Sequence, residues 1–142
     1  MKKYLLLVVL ILLTSCKSYY NEPKEIQYDC ILEYSEFFVS IPEILADEGY
    51  QINSVDTLRG FLIAEKKFEY KGKETILTLS IRRSKDNSTC FITPSSITLP
   101  RENNQIKYYD ETHITKKLKK DLQRTLKRIK YFCKGPYFPN QP

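Results

Sequence analysis

Four cysteines, one histidine and a scatter of acids are the side chains of this 142-residue chain that suit covalent, metal or acid–base chemistry. His113 stands alone: no cysteine pair or acid lies at metal-ligand spacing from it, and no nucleophile carries a recognisable flanking motif. Its expected role is structural or solvent-facing. Glu65, Glu69 and Glu74 make a carboxylate pair only where a sheet brings them together, and strand acids usually face water. No catalytic residue, metal ligand or cofactor site is therefore expected. Cys16 differs because of what precedes it. Lys2-Lys3 opens the chain, Tyr4 to Leu13 is an apolar run of ten residues, and the small pair Thr14-Ser15 stands directly before the thiol. A positive start, an apolar stretch and small residues at a cut are the parts of a secretory signal. Ten apolar residues also fall short of the roughly 20 that cross a bilayer as a helix.

Leu13-Thr14-Ser15-Cys16 resembles the lipobox of bacterial lipoproteins. The resemblance implies that residues 1–15 are a lipoprotein signal peptide, that Cys16 is the lipidation site, and that cleavage just before it frees an amino terminus for acylation. Each buried methylene adds about 0.8 kcal/mol, and stable anchoring takes more than one chain, which such a terminus would supply. Lys17 and Ser18 follow with no aspartate, as in lipoproteins sent on to an outer membrane. The expected location is the cell envelope, on the periplasmic face of that membrane.

Loss of residues 1–15 removes two lysines and no acid, so the formal charge falls from +6 to +4. The remaining 127 residues are the size of one domain with a self-sufficient core. With 42% hydrophobic and 13% aromatic residues and only four glycines, the composition is that of a folded domain. Once Cys16 is assigned to lipid, Cys30, Cys90 and Cys133 remain. An oxidising compartment allows one disulfide and a leftover thiol, whereas three buried thiols also pack well as small hydrophobes. Both alternatives stay open, and no pairing follows from the sequence.

The pattern divides into a lipidated tether over 16–25, a single α+β domain over 26–135 and a short tail over 136–142. Ile26, Tyr28, Cys30, Leu32 and Tyr34 alternate with polar neighbours, the period of a half-buried strand. Ser40-Ile41-Pro42-Glu43 has the spacing of a capping box with proline in the first turn, which predicts a helix from Ile41 to Glu48 ended by Gly49. A start near Ser35 with Pro42 as a kink is the alternative. Strands are expected over Tyr50–Val55 and Phe61–Tyr70 around a turn at Asp56–Gly60, and over Glu74–Arg82 after a hairpin at Gly72. Another runs over Thr89–Thr93 and ends near Pro94, with Ile97–Leu99 extending or restarting it, before a loop at Pro100–Gln105. From Thr112 to Cys133 the residues Ile114, Leu118, Leu122, Leu126, Ile129, Phe132 and Cys133 share an arc of roughly 120°. The expected fold is α+β: an antiparallel sheet of four or five strands, two helices packed on one face, and a long amphipathic C-terminal helix.

The other side of that helix is the candidate basic binding face, drawn from Lys116, Lys119, Lys120, Arg124, Lys127 and Arg128. With Lys117, Lys130 and Lys134 against the single acid Asp121, its local charge is +8. Clustered charge favours anionic partners, including acidic lipid surfaces; the bland alternative is a solvated helix face. Eleven tyrosines, paired at Tyr19-Tyr20 and Tyr108-Tyr109, suit either interfaces or ordinary strand packing. Nucleic acid is not an expected partner, since the lipobox places the domain outside the cytoplasm and no binding motif accompanies the charge.

The order of helix, Gly49-Tyr50-Gln51-Ile52, Asp56, Gly60 and Phe61-Leu62-Ile63-Ala64 loosely resembles helix-and-sheet domains of small envelope lipoproteins. Among these are the domains of the lipoprotein C subunit of the outer-membrane β-barrel assembly machine. The likeness covers residues 35–70, carries no functional residue over and implies at most a binding role. The expected function is that of a membrane-anchored envelope lipoprotein, non-catalytic, which binds another protein or assists an envelope assembly. The alternative is an inhibitor or immunity-type lipoprotein that blocks an envelope-directed enzyme. A hydrolase with a site invisible in sequence comes third.

Overall fold

The computed structural model describes residues 24–70, 72–99, 107–108 and 116–134. The expectations for residues 1–15, Cys16, the tether to Pro23, the 100–105 loop, His113, the start of the C-terminal helix at Thr112 with Ile114, and the tail lie outside the described residues. The elements are β1 (Ile26–Asp29), α1 (Tyr34–Asp47), β2 (Gln51–Asp56), β3 (Phe61–Tyr70), β4 (Lys73–Arg83), β5 (Thr89–Leu99), β6 (Lys107–Tyr108) and α2 (Lys116–Cys133). All strand pairings are antiparallel and run in the order β1-β5-β4-β3-β2, with the two-residue β6 also on β5. The fold is α+β, with five principal antiparallel strands and two helices, the second near the C-terminus.

Alternation along the strands builds one apolar sheet face. Leu62 lies opposite Ile81, Ala64 opposite Leu79, and Ile81 opposite Ile92. These side chains join Phe37, Ile41 and Leu45 of α1 and Leu118, Leu122 and Ile129 of α2 in a single buried cluster. Each such burial stabilises by about 1.5–3 kcal/mol. Among the described residues no helix is long and apolar enough to cross a membrane.

Helix α1 begins at Tyr34, within one residue of the alternative start near Ser35 and not at Ile41, and the capping-box spacing at Ser40 lies inside it. Phe37, Phe38, Ile41, Ile44 and Leu45 are buried, a stripe at helical spacing that continues across Pro42. An interior proline costs about 3 kcal/mol, while two buried phenylalanines are worth about 1.5–3 kcal/mol each. Their rings also meet edge to face at 5.1 Å. Packing outweighs the lost backbone bond, so the stripe decides where the helix starts. Gly49, at φ 83°, ends it as expected: its N–H donates to Ala46 O and that of Tyr50 donates to Leu45 O, both at 2.9 Å.

Strand β5 runs through Pro94 to Leu99 instead of ending at the proline. On its outer side β1 pairs as far as Ile92 and β6 begins at Ser95. Pro94 thus falls in the gap between two partners, where a missing N–H is tolerated. Strand β1 stops at Asp29, yet the inward alternation persists, because Cys30 and Leu32 are buried in the segment leading to α1.

Candidate binding face

Helix α2 turns Leu118, Leu122, Thr125, Leu126, Ile129 and Cys133 inward. On the flank toward α1 lie Asp121, Arg124 and Arg128, and all three are committed to contacts within the fold. Arg124 Nε donates to Glu48 Oε2 at 2.7 Å and Arg128 Nη1 to Glu48 Oε1 at 2.8 Å. Arg128 Nη2 also reaches Asp47 at 3.3 Å, and Arg124 Nη2 reaches Asp121 at 2.8 Å. Lys66 of β3 closes the network, with its Nζ 2.7 Å from Asp121 Oδ2 and 2.6 Å from the Glu48 carbonyl oxygen. Glu48 is only 7% exposed. Burial alone would raise its pKa, but the hydrogen bonds and charges of Arg128 and Arg124 outweigh that and hold it below the ordinary value. The same contacts raise both guanidinium pKa values.

The six side chains of the expected basic face are therefore divided. Arg124 and Arg128 lock α2 to α1, and Lys119 is half-buried and engaged. Lys116, Lys120 and Lys127 are exposed and pair with no carboxylate among the described residues. At about 100° and 1.5 Å per residue, these three form a ridge within about 40° of arc, which Lys134, the turn residue directly after the helix, continues to about 27 Å of axis. Asp121, the one acid of the helix, is turned inward to Lys66 and is absent from the ridge. Glu48 was not legible as the partner of this helix: 76 and 80 residues separate it from Arg124 and Arg128, and no local pattern crosses that distance.

The C-terminal end of α2 is fixed to β1. A disulfide joins Cys30 to Cys133, and Ile31 N–H donates to Cys133 O at 2.8 Å. This resolves the cysteine alternatives, with Cys90 as the buried free thiol. Burial pushes that thiol up to about 12, which leaves it a packing group and not a nucleophile at neutral pH. Lys130 Nζ stands 5.8 Å over the Tyr28 ring. Beside it, Gln27, Tyr28, Asp29, Ile31, Lys130 and Lys134 line an open depression of about 550 Å³. Ile31 is 70% and Tyr131 69% exposed, so apolar surface stands among the lysines of this end.

A second presented feature was missed in the sequence, where Asp56–Gly60 read only as a turn. Asp56 Oδ1 accepts from the N–H groups of Leu58 and Arg59, both at 3.0 Å, the local bonding that makes aspartate a turn residue. Tyr34 Oη donates to Thr57 O at 2.7 Å, and Arg83 N–H donates to Gly60 O at 2.9 Å. The loop is held at four points, and its tip presents Leu58, 83% exposed, beside Arg59. The signal available in sequence was an aspartate two residues before an apolar side chain in a turn ending in glycine.

Of the scattered acids, Glu69 and Glu74 are direct cross-strand partners in the β3–β4 hairpin. They are near the surface, and Glu74 also lies 3.7 Å from Lys67 Nζ. Glu65 instead accepts from Thr78 Oγ1 at 3.3 Å. Among the described residues no group of His, Cys, Asp or Glu is arranged to hold a metal ion. No protein-family model and no curated protein matches the chain.

Proposed function

We propose that this chain is a membrane-anchored envelope lipoprotein whose domain is non-catalytic and binds another protein, either as a partner or as an aid to an envelope assembly. The anchor rests on Lys2-Lys3, the apolar run and Leu13-Thr14-Ser15-Cys16. The observation that carries the binding reading is the Leu58–Arg59 turn. A large apolar side chain and an arginine stand in solvent on a loop that four hydrogen bonds hold in place. Arginine is enriched in binding hot spots, an exposed leucine adds apolar area to bury, and a loop whose backbone is already held has less conformational freedom to lose on association. The polar side chains nearest to a functional cluster, Glu48, Lys66, Asp121, Arg124 and Arg128, are bound to one another and bridge α1, β3 and α2.

The same turn favours a second reading, an inhibitor or immunity-type lipoprotein, since a rigid projecting loop suits insertion into an enzyme cleft. Crosslinking the native lipoprotein in its own cells, with mass spectrometry of the captured chains, tests both. The first reading expects envelope proteins crosslinked through the 57–60 turn, with capture lost on Leu58→Asp and Arg59→Glu. The second expects a one-to-one complex with a lytic enzyme. Recovery of only the chain itself, or capture unchanged by both substitutions, would overturn the binding role of the turn.

A further inference from the structure

The geometry points to the outer ridge of α2, formed by Lys116, Lys120, Lys127 and Lys134, as a site for anionic phospholipid headgroups, so that the tethered domain lies with this helix on the bilayer. The inference rests on the lipid-anchor reading above and goes beyond it, because an anchor fixes a point of attachment and does not by itself say which face of the domain meets the bilayer.

Three observations converge. First, the ridge carries charge of one sign: Asp121 is withdrawn to Lys66, and Arg124 and Arg128 are turned to α1. Four lysines on one edge of a helix meet a plane of phosphates over about 27 Å. Second, the helix pair is electrically lopsided. The segment 33–49 holds Glu33, Glu36, Glu43, Asp47 and Glu48 with no lysine or arginine, and the first four are exposed. Of the two helices only α2 suits an anionic surface, so the charge of the pair favours one orientation as well as adding affinity.

Third, the chain enters the domain along α2. Residues 24–25 lead into β1, Cys30 directly after β1 is bonded to Cys133 at the end of α2, and Lys130 lies over Tyr28. From Cys16 to Ile26 the chain spans at most about 35 Å when fully extended, which is enough for the helix to reach a membrane that holds Cys16. Around the bonded end, exposed Ile31 and Tyr131 alternate with Lys127, Lys130 and Lys134. Aromatic and aliphatic groups beside snorkelling lysines are the composition of a headgroup-level contact.

The full chain, purified from membranes, is reconstituted into vesicles of phosphatidylcholine with and without phosphatidylglycerol. An impermeant acylating reagent then reads each lysine by mass spectrometry, with exposed Lys85 of the β4–β5 turn as reference. Lys116, Lys120 and Lys127 should react at least about fivefold more slowly on the acidic vesicles, the protection that one lysine near an anionic surface brings. High salt should abolish the difference, since these charges are screened over about 8 Å at physiological ionic strength. In the variant K116E/K120E/K127E the protection of Lys134 should disappear.

Equal rates on both vesicle types would overturn the inference, as would protection that ignores lipid charge and salt. Protection that requires an added envelope protein fraction would also overturn it, in favour of a protein partner on this face. The intact mass of the same sample shows whether Cys16 carries lipid. If it does not, the anchor reading falls separately, and flotation of the unlipidated chain with acidic but not neutral vesicles would still support the ridge.

Discussion

The Glu48 carboxylate lies 2.8 Å from Arg128 Nη1, across the junction between the end of α1 and the middle of α2. Because Glu48 is buried and the arginine is partly solvated, the contact acts as a clamp whose strength depends on the carboxylate being charged. Glu48→Gln should lower stability to urea at pH 7 by about 1–2 kcal/mol, the range for charge-assisted hydrogen bonds discounted for the exposed arginine side. The folded-state pKa of Glu48 is lowered from its ordinary value of 4.5. Its contribution is therefore complete above that value and is lost as pH falls through the lower folded pKa. Wild type and variant should converge in acid; a gap that stays constant from pH 7 to pH 3 would show that the charge on Glu48 is not what holds the helices.

The division of the basic helix makes a paired prediction. Arg124→Glu with Arg128→Glu sets two acids against Glu48 and Asp47, and should unfold the domain or markedly lower its melting temperature. Lys116→Glu with Lys120→Glu and Lys127→Glu touches no ion pair among the described residues and should leave the melting temperature nearly unchanged. Thermal melts followed by circular dichroism compare the two. Equal losses would mean that the ridge is as structural as the arginine flank.

Gly60 sits at φ 71°, and a β-carbon there would collide with the Arg83 carbonyl oxygen and lie 2.8 Å from Tyr34 Oη. Gly60→Ala should cost about 3 kcal/mol, as backbone strain adds to the clash. Gly49 has φ 83° but nothing nearer to an added β-carbon than Lys66 Cε at 3.6 Å. Gly49→Ala should cost only the left-handed penalty, about 1 kcal/mol. Denaturant midpoints of the two variants give the order, and similar losses would place the whole effect of Gly60 in its dihedral angle.

What the sequence made legible was the local and periodic part of this fold. Turns at Gly49, Gly60 and Gly72, strand β3 to the residue, and the inward stripe of Leu118, Leu122, Leu126, Ile129 and Cys133 on α2 follow from spacing; Phe132, at the edge of the expected arc, is 38% exposed instead. What stayed hidden depends on competition or on distance. Pro42 and Ser40 announce a helix start at Ile41, and the choice of the alternative start near Ser35 is made only in the fold, where Phe37 and Phe38 bury more than the proline costs. Pro94 announces a strand end, but a gap between β1 and β6 absorbs it. Two-residue β6 is too short to show a period. The basic face was legible as charge and illegible as geometry, because only the fold shows that Glu48 takes Arg124 and Arg128 and leaves the lysines outside.

Glu69 and Glu74 face each other across the β3–β4 ladder, a like-charge pair that costs a few tenths of a kcal/mol in a hairpin. Glu69→Lys should raise stability by about 0.5 kcal/mol by turning that repulsion into attraction. Glu65→Lys, which removes the acceptor of Thr78 Oγ1, should not. Chemical denaturation of both variants tests the register directly, and a loss in Glu69→Lys would mean that the two acids do not meet.

The Cys30–Cys133 disulfide closes a separation of 103 residues, for which chain entropy sets a stabilisation approaching 4.7 kcal/mol. Cys30→Ser with Cys133→Ser should therefore cost about 3–5 kcal/mol and free the end of α2 from β1. Thiol chemistry checks the pairing without any mutation. In the native state Cys90 is buried and its pKa is raised to about 12, so an aromatic disulfide reagent should find no reactive thiol in the domain. In denaturant without reductant the described domain should expose Cys90 alone. Cys16 then decides the total: one thiol for a chain lipidated there, two for a chain that is not. Reduction should add Cys30 and Cys133 in either case. A native domain whose Cys90 reacts at once would contradict the buried thiol, and a count unchanged by reduction would contradict the disulfide that fixes the basic helix to the strand leading from the tether.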